Sequence, residues 1–243
     1  MRNYKEEVAR RVEWIRSIIE SAGANGVIFG NSGGKDCVLV GILCKMACDN
    51  TIGVITPIET KRNYGEDKEH AIIFAKQFNI ETRIVDLTVA KQAIVGAVDT
   101  ALSETAISNI APRLRMTAWR LIAQAENLLY AGTSNKSELH MGYFTKYGDN
   151  AYDFNPIADL TVTEVYEFLR YLDAPACIID KPPSAGLIDG QTDEAEMGVT
   201  YAAIDAYLRG EEISSNDRKI IERYHKYAQH KLNPPYMYND KQS

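Results

Sequence analysis

Residues 26 to 48 change character twice. Gly26-Val27-Ile28-Phe29 is a short apolar run, Gly30-Asn31-Ser32-Gly33-Gly34-Lys35-Asp36-Cys37 is a loop of small and polar residues, and Val38 to Met46 is an apolar run of helical character. The order strand, tight loop, helix belongs to the α/β class, in which a strand hands the chain to a crossover helix. It also leaves several backbone N–H groups at the helix start without intrahelical partners, at the positive end of the helix dipole. A phosphate fits there, and Asp36, just inside the helix, is placed to hold the Mg²⁺ that a polyphosphate carries. The plainer alternative is a helix entry that only requires small residues.

Spacing excludes two familiar phosphate loops. A Walker A loop has four residues between its first Gly and the Gly-Lys pair, followed by Ser or Thr. Here three residues separate Gly30 from Gly34, and Asp follows Lys35. The fingerprint G-x-G-x-x-G fails too, because the glycines fall at 30, 33 and 34. The loop instead resembles the S-G-G-x-D-S signature of the ATP pyrophosphatase, or PP-loop, family, residue for residue except that Cys37 replaces the final Ser. The resemblance implies cleavage of ATP between its α and β phosphates. It assigns Gly30, Asn31, Ser32, Gly33, Gly34, Lys35, Asp36 and Cys37 to the nucleotide. A thiol is a larger and weaker donor than a hydroxyl, which weakens one phosphate contact and leaves the loop.

Beyond the loop, strands and helices alternate. Strands are expected at 26–29, 51–56, 82–87 and 127–131, and helices at 34–48, 66–78, from about 89, and at 114–126. An opening helix over 4–22 carries Val8, Val12, Ile15, Ile18, Ile19 and Ala22 at helical spacing. Short apolar strands separated by helices predict an α/β fold with a doubly wound parallel sheet and helices on both faces. The PP-loop resemblance makes this the adenine nucleotide alpha hydrolase-like arrangement. Ligands in such sheets bind at the carboxyl ends of strands, where the Gly30 loop and the Thr133 segment both lie. A helical C-terminal part follows at 161–172, 200–208 and 215–231. Within it, Lys181 to Gln191 is rich in Pro and Gly without periodicity, and reads as a linker or as a lid over about 181–195. One domain spanning residues 1–243 is expected.

The net charge of −6 disfavours non-specific nucleic-acid binding through a basic surface. An anionic ligand must then be met by local cations, helix ends or metal. The longest apolar stretches, such as Val38 to Cys44, fall short of a membrane span, and the charged N-terminus lacks the apolar core of a signal peptide. A cytoplasmic protein is expected. Cys37, Cys44 and Cys48 share one helical stripe, a poor geometry for a disulfide. They read as small core residues in a reducing compartment rather than a metal site.

Further segments narrow the resemblance. Asn109-Ile110-Ala111-Pro112-Arg113-Leu114-Arg115-Met116 puts two arginines at a helix start, and Gly132-Thr133-Ser134-Asn135-Lys136-Ser137-Glu138 follows a strand. Gly142-Tyr143-Phe144-Thr145-Lys146-Tyr147-Gly148-Asp149 precedes Asp153 and Asn155-Pro156. Together with Lys181 to Leu187, Gly190 to Glu194, Gly198 to Tyr201 and His230-Lys231, this order looks like the ammonia-dependent NAD synthetase family, from about residue 5 to 235. The resemblance implies that Thr133 and Ser184 touch ATP, and that Glu138 is a second Mg²⁺ ligand beside Asp36. Two carboxylates suit a hard ion that takes oxygen ligands. It further implies that Arg113, Lys146, Asp153, His230 and Lys231 hold nicotinic acid adenine dinucleotide (deamido-NAD), with Asp36 and Asp153 in the catalytic roles. Taken singly, Arg113 and Lys146 read as surface charge, His230 and Lys231 as a solvated helix end, Asp153 as a turn cap, and Thr133 and Ser134 as helix caps. A homodimer whose dinucleotide site spans the interface is expected by the same resemblance.

Two departures stand out. Val162 falls where the family has a phosphate-binding lysine, with Lys35 or Lys181 as candidate replacements, and Pro112 stands where Ala is usual. The implied chemistry is attack of the nicotinate carboxylate on the α-phosphorus of ATP, loss of pyrophosphate, and amidation of the acyl-adenylate by ammonia. The 243 residues leave no space for a glutaminase domain, so free ammonia is the expected donor unless a separate glutaminase partner supplies it. The rival readings are a PP-loop adenylating enzyme with another acceptor, and a nucleotide-binding protein of low activity.

Overall fold

The computed structural model describes residues 2–59, 64–181 and 192–238. Four parallel strands, β1 (Gly26–Gly30), β2 (Thr51–Ile55), β3 (Glu81–Ile84) and β4 (Leu128–Ala131), form a sheet in the order β3-β2-β1-β4. The chain steps outward from β1 to β2 to β3, then crosses to the far side of β1 to make β4. The direction of winding therefore reverses between β1 and β4. In open α/β sheets the crevice at such a reversal is where ligands bind, and here it brings the loop after β1 beside the loop after β4.

Helices return the chain to the sheet. α1 (Tyr4–Ala22) precedes β1, α2 (Lys35–Ala47) follows it, and α3 (Glu66–Gln77) follows β2. α4 (Thr88–Ala97), α5 (Glu104–Ser108) and α6 (Ile110–Glu126) connect β3 to β4. The alternation of side chains along β1 divides the core in two. Val27 and Phe29 join α1 and α2 on one face, and Ile28 joins Ile52, Val54, Tyr130 and Trp119 of α6 on the other. After β4 come α7 (Lys136–Met141), α8 (Val162–Tyr171), α9 (Ala176–Ile179), α10 (Asp193–Met197), α11 (Tyr201–Leu208) and α12 (Ser215–Leu232). Met141, Val162, Met197, Tyr201, Ile204 and Ile221 form a separate cluster that binds this helical part together.

The doubly wound parallel sheet is as expected, and most boundaries fall within a residue or two. Two differ for local reasons. α6 begins at Ile110 rather than 114, because Pro112 lies in the first turn, where a missing N–H is no loss. β3 stops at Ile84 rather than 87, because the Asp86 carboxylate takes the Thr88 N–H at 2.9 Å and turns the chain into α4. All four cysteines are free thiols, with Cys37 and Cys44 buried in the core. Among the described residues no helix is long and apolar enough to cross a membrane.

Candidate active site

The loop after β1 is held in shape by its neighbours. Asn31 donates its side-chain amide to Ala71 O of α3 at 3.1 Å and accepts from Gly33 N at 3.3 Å. Gly33 has φ +69°, and a Cβ there would stand 2.4 Å from Asp67 O, so only glycine fits. At Gly30 a Cβ would meet the Trp119 ring at 2.3 Å. Gly34 is the N-cap of α2, and no side chain caps the helix. The N–H groups of its first turn are thus available to an anion. The Cys37 thiol turns back into the loop, donating to Gly34 O at 3.1 Å with Ser32 Oγ at 3.4 Å, and burial pushes it above the ordinary thiol range. Its thiol is engaged inside the loop.

β4 supplies the other half of the crevice. Asn135, rather than Thr133 or Ser134, caps α7. Its Oδ1 accepts from Glu138 N at 3.0 Å, and its N–H donates to Glu138 Oε2 at 3.3 Å, a capping box. Asn135 Nδ2 also donates to Asp36 Oδ1 at 3.0 Å, tying the two strand ends together. Thr133 lines the cavity above, and Ser134 is buried.

Lys35 stands between the two halves. Its Nζ is 2.6 Å from Asp36 Oδ2 and 3.4 Å from Glu138 Oε1, and lies 5.5 Å from the centre of the Tyr201 ring. The Lys35 side chain is only 7% exposed. Burial disfavours its ammonium, but Asp36 and Glu138 more than offset this and hold its pKa above the usual lysine range. Burial and then repulsion from Asp36 push Glu138 above the usual carboxylate range, against the pull of Lys35. This all-oxygen, two-carboxylate donor set fits a hard ion such as Mg²⁺, which takes its remaining ligands from phosphate and water. Among the described residues no cluster of three His, Cys, Asp or Glu forms a complete protein cage for a metal.

A cavity of ≈ 940 Å³ extends from this cluster past Arg115, Trp119 and Tyr130 to Asp149, His230 and Lys231. Of the residues expected at a dinucleotide, His230 and Lys231 line it, whereas Arg113, Lys146 and Asp153 are not among its described lining. Arg113 and Lys146 are still joined to the same corner. Arg113 Nε donates to Lys146 O at 3.3 Å, and Lys146 Nζ donates to His230 O. Lys231 Nζ donates to Gly142 O and Phe144 O at 2.8 and 2.9 Å. Asp153 stands apart. Its Oδ2 accepts from Tyr130 N at 2.8 Å and its Oδ1 pairs with Arg120 at 2.5 Å, so both oxygens close the outer edge of β4.

Two residues that the sequence left without a role occupy the cavity wall. Burial pushes the Asp149 carboxyl up, against the Thr145 N–H that it accepts at 2.8 Å and the nearby charges of Lys231 and Arg115. Burial pushes Arg115 down to about 10, opposed by Asp149 and Asp67, and its Nε donates to Thr56 O at 3.1 Å. Both lie inside segments quoted above, but spacing alone did not separate Asp149 from Asp153, or Arg115 from Arg113. Val162 is 4% exposed and packs in the cluster that contains Tyr201. Lys181 pairs with Asp67 at 2.5 Å. Ser184, and residues 182–191 of the expected lid, lie outside the described residues.

With this geometry in view, comparison with known proteins is specific. A family model described as NAD synthase matches residues 7–235. The chain is 42% identical over 238 residues to an NH(3)-dependent NAD(+) synthetase of Carboxydothermus hydrogenoformans, covering 96% of this chain and 97% of that one. It is 40% identical to the enzyme of the same name from Alkaliphilus oremlandii, covering 96% of each. Among solved structures, an NMN synthetase from Francisella tularensis superposes with a TM-score of 0.92 at 33% identity, over 98% of this chain and 100% of that one. An NH3-dependent NAD synthetase from Campylobacter jejuni superposes with a TM-score of 0.81 at 26% identity, over 98% and 100%. The match runs from α1 through the phosphate loop and the carboxylate pair to the end of α12, so the chain belongs to the NAD synthase family.

Proposed function

We propose that this chain is an ATP-dependent carbon–nitrogen ligase that amidates the nicotinate carboxylate of deamido-NAD with ammonia, giving NAD⁺, AMP and pyrophosphate. The observation that carries the reading is the convergence of Asp36 and Glu138 on Lys35, beside an uncapped helix start, at the reversal point of the sheet. A carboxylate repels a nucleophile and has no usable leaving group. Attack on the α-phosphorus of ATP converts its oxygen into the leaving group AMP. The N–H groups at the start of α2 stabilise charge that builds on the departing pyrophosphate. Asp36 and Glu138 would hold Mg²⁺, which supplies Lewis-acid stabilisation of that charge. Thr133 faces the nucleotide from the end of β4, and Ser184 is assigned to the same nucleotide by the family pattern.

At the other end of the cavity, His230 and Lys231 receive the pyridine nucleotide, with Arg113 and Lys146 behind them. Asp149 is better suited than Asp153 to orient the pyridine or ammonia, because it lines the cavity while Asp153 is committed to Arg120 and Tyr130 N. The chain acts as one domain and as a homodimer, since α4 buries none of its residues and leaves Val89 and Ile94 exposed. Free ammonia, or a separate glutaminase, supplies the nitrogen, and the reaction is cytoplasmic. The test is purified protein with ATP, Mg²⁺, ammonium and deamido-NAD. NAD⁺ and AMP in equal amounts support the reading, and ADP with orthophosphate rejects it.

A second reading concerns the size of the nucleotide. The substrate would then lack the adenylate half, being nicotinic acid mononucleotide, with NMN as product. The 0.92 superposition on an NMN synthetase supports it. Comparing kcat/KM for the two nucleotides in the same assay decides between them.

A further inference from the structure

The ammonium of Lys35 occupies the space between the two carboxylates assigned to the metal. It is 2.6 Å from Asp36 Oδ2 and 3.4 Å from Glu138 Oε1. Neither contact arises from a flexible surface side chain. Lys35 is buried at the start of α2, and the buried Tyr201 ring lies 5.5 Å from its Nζ. The carboxylates are held as firmly. Asp36 accepts from Asn135 Nδ2, and Glu138 is fixed by the capping box of α7. Two carboxylates brought this close in a partly buried crevice repel one another unless a cation lies between them. Here the Lys35 ammonium supplies that cation.

The neighbourhood gives the ammonium a second position to reach. The N–H groups of the first turn of α2, where a phosphate would sit, belong to the same turn as Lys35 itself. Position 162, where a lysine was expected, holds a buried valine packed in one cluster with Tyr201. Lys35 thus contacts the carboxylate pair from within the turn that forms the anion cradle. Lys181, the other candidate, is engaged by Asp67 across the crevice.

We propose that Lys35 is a positioning residue that occupies the Asp36–Glu138 pair in the resting protein, so that a divalent ion gains the pair only when a polyphosphate draws the ammonium away. This rests on the assignment of the carboxylates to Mg²⁺ in the ligase reading. Lys35 then acts as an internal gate on metal loading. The metal alone competes poorly with a tethered ammonium. A nucleotide supplies the ammonium with a new partner and the metal with phosphate oxygens at the same moment. A lysine that stays in place would weaken metal binding equally with and without nucleotide, whereas a gate relieves that penalty when nucleotide binds.

The probe is Mn²⁺, titrated against the intact protein and read as loss of the free-ion electron paramagnetic resonance signal. It is run with and without the α,β-methylene analogue of ATP. For wild-type protein, the analogue should tighten Mn²⁺ binding at least tenfold. Lys35→Met, close in length and uncharged, should bind Mn²⁺ without nucleotide at least tenfold more tightly than wild type, and should lose most of the nucleotide-dependent gain. Lys35→Gln guards against a misfolded Met variant, with thermal melting of both as the control. Nucleotide-free Mn²⁺ affinity in folded Lys35→Met or Lys35→Gln that is equal to or weaker than wild type overturns the gate. It leaves the ligase reading intact as long as wild-type protein still recruits Mn²⁺ with the analogue. Wild-type protein that binds no Mn²⁺ under either condition overturns both.

Discussion

Replacing Glu138 by Gln separates its two jobs. Gln serves at the N3 position of a capping box as Glu does, so the turn that begins α7 survives, while one of the two charges assigned to the metal is lost. Activity should fall on the order of 100-fold, the usual effect of removing one electrostatic contact to the transition state. Stability should not fall. Burial and Asp36 hold the folded pKa of Glu138 above its ordinary 4.5, so its ionisation opposes folding more as pH rises through that interval. Melting temperatures at pH 8 should therefore be no lower for Glu138→Gln than for wild type. Gly33→Ala is the converse case. The φ of +69° and a Cβ 2.4 Å from Asp67 O force the loop to shift or the contact with α3 to open. A loss of about 1–3 kcal/mol in urea denaturation is expected, with a raised KM for ATP. At this scale the phosphate loop was legible because its chemistry is local, needing small residues and one carboxylate in a row. The choice between Asp149 and Asp153 was not. It depends on Arg120 and the edge of β4, which the sequence does not bring next to Asp153.

The contact between α7 and α12 carries an expected pH dependence. The His140 and His225 rings stack at 4.1 Å with planes 7° apart, and His225 Nδ1 lies 2.9 Å from His140 O. Burial, with the charges of His225 and Lys136, pushes His140 down to about 4 from 6.5. The sign follows directly. The unfolded chain takes up a proton near 6.5 and the folded one does not, so stability is lost as pH falls from about 6.5 to about 4. Allowing for its partial exposure, the loss is about 1 kcal/mol. Urea midpoints measured across that range should show the decline in wild type and a flatter profile in His140→Phe, which keeps a ring to stack on His225. Because α7 carries Glu138 and α12 carries His230 and Lys231, weakening this contact loosens both ends of the cavity at once. The elements themselves were readable from the sequence, since four short apolar runs and a 3.6-residue period survive without tertiary information. Their ends were less so. α6 starts at Ile110 rather than 114, with Pro112 in its first turn, and β3 gives way early to an Asp86 turn.

Across the whole molecule, the order of strands explains why residues more than a hundred positions apart meet. β1 and β4 are neighbours only because the chain reverses its winding. That reversal puts Glu138 3.4 Å from Lys35. A parallel sheet was foreseeable, but alternation alone does not fix the order of its strands. One surface remains unexplained by the single chain. α4 buries no residue, although Val89, Ile94 and, just past its end, Val98 are apolar, and Leu121 of the adjacent α6 is 70% exposed. Exposed apolar side chains of this kind, on a helix that packs against α6, fit a partner surface better than water. Arg113 opens the same α6 helix, outside the described lining of the cavity. If a second copy covers α4 and α6, it also approaches the corner where Arg113, Lys146 and His230 are linked. The double change Ile94→Glu and Leu121→Glu should then convert a dimer into a monomer in light scattering. It should raise the KM for the pyridine nucleotide while leaving the KM for ATP within about twofold, because the cradle after β1 is built wholly within one chain. Dimers that persist in the variant would remove α4 from the interface. A monomer with unchanged nucleotide KM would leave the interface in place but confine the whole substrate site to a single copy.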